Sequence, residues 1–102
     1  MHVFKTEGIV IKRKNFGEAD RILTIFTKNN GKITVIAKGV RKISSRRSPH
    51  VELLNLTLLT IYNGRMPILT EAETINHFSS LKCDLNKAGQ AFYICELVDG
   101  LL

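Results

Sequence analysis

Residues 7–39 read EGIVIKRKNFGEADRILTIFTKNNGKITVIAKG, and their punctuation decides the fold. Three runs rich in Ile, Val and Thr (EGIVIKRK, RILTIFTK and ITVIAKG) are parted by FGEAD and NNGK. β-branched residues suit a pleated strand, while Gly, Asn and Asp tolerate the backbone of tight turns. Asn30-Gly31, between two such runs, is a strong hairpin signal. Gly8, inside the first run, predicts a bulge or sharp bend. In the third run Ile33, Val35 and Ala37 share one side, with Thr34, Ile36 and Lys38 on the other. In the second, Arg21, Leu23 and Ile25 oppose Ile22, Thr24 and Phe26. Both of those rows are largely apolar, so alternation leaves the core-facing one open.

Two more runs follow: VELLNLTLLTIY over 51–62, the turn NGR, and MPILTEAETI over 66–75. Three hairpin-linked strands, a long connection and a last hairpin form the order of an OB-fold, a partly open Greek-key barrel. In that fold strands 2 and 3, with the 1–2 and 4–5 loops, commonly hold oligonucleotides. Sandwiches and SH3-like barrels also offer five short strands, and a fold does not by itself confer a function.

From Phe78 the period changes. Leu81, Leu85, Ala88, Phe92 and Cys95 recur three and four apart, predicting an amphipathic helix with Ser80 or Asp84 as its cap. AFYICELVDGLL is apolar on nearly all sides, as in a helix buried within a larger helical body. With Leu101 and Leu102 left apolar at the end, the expectation is a fragment with a helical domain to follow. The predicted organisation is mainly β: a barrel over 1–77, then the start of an α-helical domain over 78–102.

Charge is distributed unevenly. The net charge is +6, yet residues 1–50 carry twelve Lys/Arg against three acids and residues 51–102 carry three against six. KGVRKISSRR, residues 38–47, holds Lys38, Arg41, Lys42, Arg46 and Arg47 without an acid. A flexible cationic segment follows a phosphate backbone without reading sequence, and each neutralised phosphate releases counterions. The plainer alternative is a solvated loop that keeps the protein soluble. Ser44, Ser45 and Ser48 could donate to phosphates, with turn filling as their simpler role. Further candidates are Lys12, Arg13 and Lys14 at the end of the first strand, where alternation forbids all three from facing one partner. Arg21, Lys38 and Arg65 of the presumed 4–5 loop complete the set. For base stacking Phe16, in the 1–2 turn, is the best candidate, while Phe26 and Tyr62 fit the core.

Catalysis and metal binding have little support. No GxSxG, P-loop, HExxH or EF-hand pattern occurs, so the expectation is a protein that is not an enzyme and has no catalytic residue. Glu71 and Glu73 share a strand face and read as a solvated face or as charges that discourage strand pairing. His50 follows Pro49 without an evident partner. Cys83 and Cys95 lack a CxxC spacing, and no cofactor is expected in this segment. A signal peptide is not apparent, and LLNLTLLTIY is too short to span a bilayer; a cytoplasmic setting without membrane contact is expected.

The composite pattern TEGIVIKRKNFGEADRILTIFTKNNGKITVIAKGVRK, residues 6–42, resembles the N-terminal signature of the RecO family of bacterial recombination mediators. ILTEAETINHF and LKCDLNKAGQAFYICELVDGLL are similar to that family's last barrel strand and first long helix. The resemblance implies an OB-fold joined to a helical domain, binding of single- and double-stranded DNA, and annealing of complementary strands. It also implies loading of RecA onto strands coated by single-stranded-DNA-binding protein, together with RecR and in some members RecF. A zinc site known in many members belongs to a later region and is not carried over, since Cys83 and Cys95 lack its spacing. An OB-type RNA-binding module and a protein-interaction adaptor remain as rival readings.

Overall fold

The sequence folds along the expected lines in a computed structural model that describes residues 2–42 and 45–101, with side chains undescribed at Asn86, Ala91 and Phe92. Five strands, Val3–Phe16 (β1), Asp20–Thr27 (β2), Gly31–Ala37 (β3), Leu56–Tyr62 (β4) and Ile68–Asn76 (β5), precede two helices, Ser79–Lys87 (α1) and Ala91–Leu101 (α2). The strands close in the order β1-β2-β3-β5-β4. This is an OB-fold. Neighbours run antiparallel except at the seam, where β3 and β5 are parallel and pair only at Ile36 and Ile68. There the Ile36 amide donates to the Pro67 carbonyl at 2.9 Å.

β1 closes the ring by serving two neighbours, β4 along residues 3–9 and β2 along residues 8–16. Gly8 lies in the shared segment with regular pairing, and a Cβ there would meet Ile25 Cγ2 at 2.6 Å and the Phe26 carbonyl at 3.1 Å. Close approach explains this glycine; the bulge expected there lies further on, where pairing jumps from Val10–Ile25 to Lys12–Thr24. The extra residue, Ile11, is buried beside Val10. Leu23, Ile25, Val35 and Ala37 point inward with Val10, Leu59, Ile61 and Leu69, which settles the open facing of β2.

Two expected elements differ. The fourth strand starts at Leu56, not Val51, because Ser48–Val51 forms a 3-10 turn with Pro49 in its first positions. That turn lowers Val51 into the core and is fixed by two buried polar groups. Asn55 Nδ2 donates to the Pro49 carbonyl at 3.0 Å, and Thr57 Oγ1 to the His50 carbonyl at 2.8 Å. The single helical period is really two helices. Gly89 (φ +69°) ends α1, with the Gln90 amide donating to the Leu85 carbonyl at 2.9 Å in a Schellman cap. Ser80 and Asp84 lie inside α1 and cap nothing at its start. Cys95 of α2 is buried, whereas the Phe92 side chain and Leu102, both read as apolar helix positions, fall outside the described residues.

Candidate nucleic-acid interface

The connection from β3 to β4 leaves the sheet at Gly39, whose φ of +67° is reached readily only without a side chain. The Gly39 amide donates to Asp20 Oδ1 at 2.7 Å, and the Arg41 amide to the Ala19 carbonyl at 2.9 Å. Arg41 then staples this connection to the 1–2 turn: Nε donates to the Asp20 carbonyl at 3.2 Å and Nη2 to the Gly17 carbonyl at 2.6 Å. Arg47 bridges the seam in the same manner, with Nη2 on the Lys38 carbonyl at 2.5 Å and Nη1 on the Thr70 carbonyl at 3.4 Å. Neutral carbonyls anchor these guanidiniums without cancelling their charge. Lys42 and Arg46 are exposed and form no ion pair among the described residues.

Arg21 joins this end of the barrel. It pairs across β2–β3 with buried Ala37 and donates from Nε to Asn15 Oδ1 at 3.4 Å. Partial burial, then the Arg13 and Arg41 guanidiniums, hold its pKa below the usual arginine value. Three like charges therefore converge where β1 ends, β2 starts and the 3–4 connection begins. Lys38 is exposed directly after β3. Among the serines, Ser45 is half-buried and Ser48 opens the 3-10 turn, while Ser44 lies outside the described residues.

The first-strand cations have another neighbour. Resetting of alternation by the Ile11 bulge puts Arg13 in the row of Leu23, and Lys12 and Lys14 on the outer face with Thr24 and Ile22. α2 packs on this stretch. Lys12, Arg13 and Lys14 line a cleft of about 310 Å3 together with Cys95 and Glu96. Burial pushes the Cys95 thiol above its ordinary pKa, and the nearby Glu96 carboxylate adds to this while Arg13 opposes it. At the far end of α2, Asp99 Oδ2 lies 3.8 Å from Lys12 Nζ and Oδ1 lies 3.4 Å from Lys32 Nζ. Lys32 Nζ also donates to the Asp99 carbonyl at 3.2 Å. The end of α2 thus crosses the outer surface of strands 1–3, the face on which OB-folds commonly hold oligonucleotides.

The aromatic readings divide. Phe16 is 49% exposed at the tip of the 1–2 hairpin, as expected. Phe26 and Tyr62 are 43% and 44% exposed, so neither is a core residue. Tyr62 ends β4 and Phe26 lies one residue before the end of β2, where a ring stays half in solvent. Arg65 is exposed on the 4–5 connection, with no contact to the other candidates among the described residues. His50 does have a partner: Nδ1 accepts the Thr74 amide at 3.1 Å and lies 2.7 Å from Thr74 Oγ1, which assigns the ring proton to Nε2. A second cleft, of about 390 Å3, brings Lys5, Arg46 and Arg47 against Glu71 and Glu73 on the outer face of β4 and β5. Sequence reasoning passed over Lys5 and Lys32. Lys32 carried a signal, since it follows the Asn30-Gly31 turn and falls in the outward row with Thr34.

Among known proteins, the family described as Recombination protein O N terminal matches residues 1–78. The chain belongs to the RecO N-terminal family. A DNA repair protein RecO of Roseiflexus sp. strain RS-1 is 43% identical over 101 residues, covering 98% of this chain and 35% of that relative. One from Heliobacterium modesticaldum is 36% identical over 102 residues, covering 99% and 37% respectively. A third, from Acetivibrio thermocellus, is 37% identical over 103 residues and is covered to 41%. The chain therefore spans a little over a third of the length of these RecO relatives. No described helix is long and apolar enough to cross a membrane.

Proposed function

We propose that this chain is the DNA-gripping barrel of a recombination mediator in DNA repair, acting as a binding module and not as an enzyme. Its barrel occupies residues 1–77, and residues 78–102 begin a helical domain. The observation that carries the reading is the cation set around the β3–β4 connection: Lys42 and Arg46 without an ion pair among the described residues, Arg41 and Arg47 fixed on carbonyls that leave their charge intact. Such a surface holds phosphates of single or double strands without reading bases. Two strands held against it repel each other less, which favours annealing. Within the whole protein we assign this module to RecA loading with RecR, single-stranded-DNA-binding protein and in some settings RecF, in a bacterial cytoplasm, a reading supported by its similarity to DNA repair proteins named RecO.

Fluorescence anisotropy with a labelled single strand across a salt series tests this. The comparison is wild type against Lys42→Ala/Arg46→Ala, which leaves both stapling arginines in place. Loss of two phosphate contacts should flatten the log–log slope by about 1.4. Equal affinity and equal slope would overturn the assignment. A matched RNA competitor that displaced the DNA strand fully at equimolar concentration would favour an RNA-binding module instead.

A second reading, a protein-interaction adaptor, draws on the helices. Leu81, Tyr93, Leu97 and Leu101 are all more than half exposed. Co-purification with RecR after Lys42 and Arg46 are removed would separate that role from DNA binding.

A further inference from the structure

Beside the β3–β4 connection is a cleft of about 460 Å3 lined by Lys38, Gly39, Lys42, Ser45, Arg46 and Arg47. No carboxylate lines it. Asp20 holds the Gly39 amide through Oδ1 and stays outside the lining. The neighbouring cleft that shares Arg46 and Arg47 contains Glu71 and Glu73 and is therefore bipolar. Of the two, only the first favours an anion on charge.

Two side-chain polar atoms of residues that line this cleft, Ser45 Oγ and Arg47 Nε, are buried and have no hydrogen-bond partner among the described residues. A buried donor without an acceptor is unfavourable, so such atoms call for an explanation. Arg47 is also held in place, since its two terminal nitrogens are anchored on opposite sides of the seam. That anchoring leaves Nε as its free donor. The Ser45 amide is already engaged on the Lys42 carbonyl at 2.9 Å, which fixes the serine while leaving its hydroxyl available.

We infer that this cleft is a phosphate seat, in which Ser45 Oγ and Arg47 Nε donate to one phosphate of a bound strand while Lys38, Lys42 and Arg46 supply charge. The inference rests on the nucleic-acid reading above and sharpens it. A strand is gripped at one fixed point, and the remaining contacts are diffuse. A tetrahedral group with three or four acceptor oxygens matches several donors converging from different directions, and a planar carboxylate matches them less well.

The test uses the whole chain in amide-resolved NMR titrations at constant ionic strength. The probes are inorganic phosphate, a thymidine trinucleotide with a 5′-phosphate, and the same trinucleotide without one. Gly39, Lys42 and Ser45 amides should shift saturably with all three. Ser45→Ala removes no internal hydrogen bond and should fold as wild type. It should weaken each probe by about three- to tenfold, the worth of one hydrogen bond. Lys42→Gln should weaken all three while preserving saturation.

Weak shifts spread over every surface lysine, unchanged by Ser45→Ala, would overturn the seat. If a labelled longer strand still bound with a steep salt slope, the nucleic-acid reading would survive that loss. Saturation by inorganic phosphate and the 5′-phosphorylated probe alone would overturn the assignment to a strand-interior phosphate. In that case the cleft would hold a terminal phosphate only.

Discussion

On the outer surface of β1–β3, the Lys12 and Lys32 ammonium groups meet the Asp99 carboxylate, while across β3 the Arg41 and Arg47 guanidiniums end on main-chain carbonyls. Both arrangements immobilise cations, with opposite electrostatic results. A carboxylate partner cancels the charge locally. A carbonyl partner orders the side chain and leaves a full positive charge facing solvent. Counting lysines and arginines along the chain treats these surfaces as equal, yet only the second keeps its cations available to a polyanion. Asp99 also explains why the OB face and the basic connection are unequal candidates: its carboxylate sits beside Lys12 and Lys32 on the first, and no ion pair forms on the second among the described residues.

The sharpest way to break this comparison is Arg47→Ala. It removes a charge and also the link between the Lys38 and Thr70 carbonyls, so stability and binding should fall together. Two hydrogen bonds to a charged, half-exposed group suggest a loss of about 2 kcal/mol, read from the urea midpoint. DNA affinity at low salt should fall by more than tenfold. Arg47→Lys should recover much of the charge and little of the stability, since an ammonium cannot bridge both carbonyls. Wild-type stability in Arg47→Ala would show that the carbonyl contacts are incidental.

Next in size is Asp99→Asn. Exposed ion pairs contribute about 0–1 kcal/mol each, so folding should be nearly unaffected. Freed Lys12 and Lys32 should then tighten DNA binding about tenfold at low salt and steepen the salt slope by up to about 1.4. Unchanged affinity in the same anisotropy assay would mean that α2 itself, and not its charge, keeps strands off this face.

Much of the fold was legible in the sequence because turn chemistry is local. Asn30-Gly31 and Gly17 mark hairpins in which Gly17 and Gly31 adopt the left-handed backbone that glycine allows. The errors arise where burial hides a turn. Val51 to Asn55 resembles a strand because Val51, at the end of the 3-10 turn, is buried and Leu53 and Leu54 are half-buried, so their apolar side chains continue the run of β4. Gly89 announced a helix end, but Leu85, Ala88 and Cys95 keep helical spacing across the break. At the site, residue types and their clustering were legible and their bonding was not. Nothing in KGVRKISSRR separates Arg41 and Arg47, bound to carbonyls, from Lys42 and Arg46, which are not. That distinction depends on Gly17, Asp20 and Thr70, brought there by the barrel.

A smaller effect divides that loop. Lys42→Ala and Arg46→Ala, made singly, should each flatten the salt slope by about 0.7 and leave the urea midpoint within about 0.5 kcal/mol of wild type. Arg41→Ala should flatten the slope equally but also destabilise, because the Asp20 and Gly17 carbonyls lose their donor. If all three variants behaved alike in stability, carbonyl anchoring would not distinguish the two kinds of cation.

The smallest effect checks which side of β1 the helix covers. Burial against the bulge holds the Cys95 thiol above its ordinary pKa, with Glu96 adding to burial and Arg13 opposing it. The unfolded chain therefore loses this proton at lower pH than the folded one. Stability must fall as pH rises through the unfolded thiol's range, around an ordinary value of 9.0. Cys95→Ala lacks that component, so the stability gap between wild type and variant should narrow between about pH 7.5 and about pH 9.5. A constant gap for Cys95→Ala would mean that α2 does not seal the thiol against β1. The Asp99 contact with Lys12 and Lys32 would then lose its anchor as well.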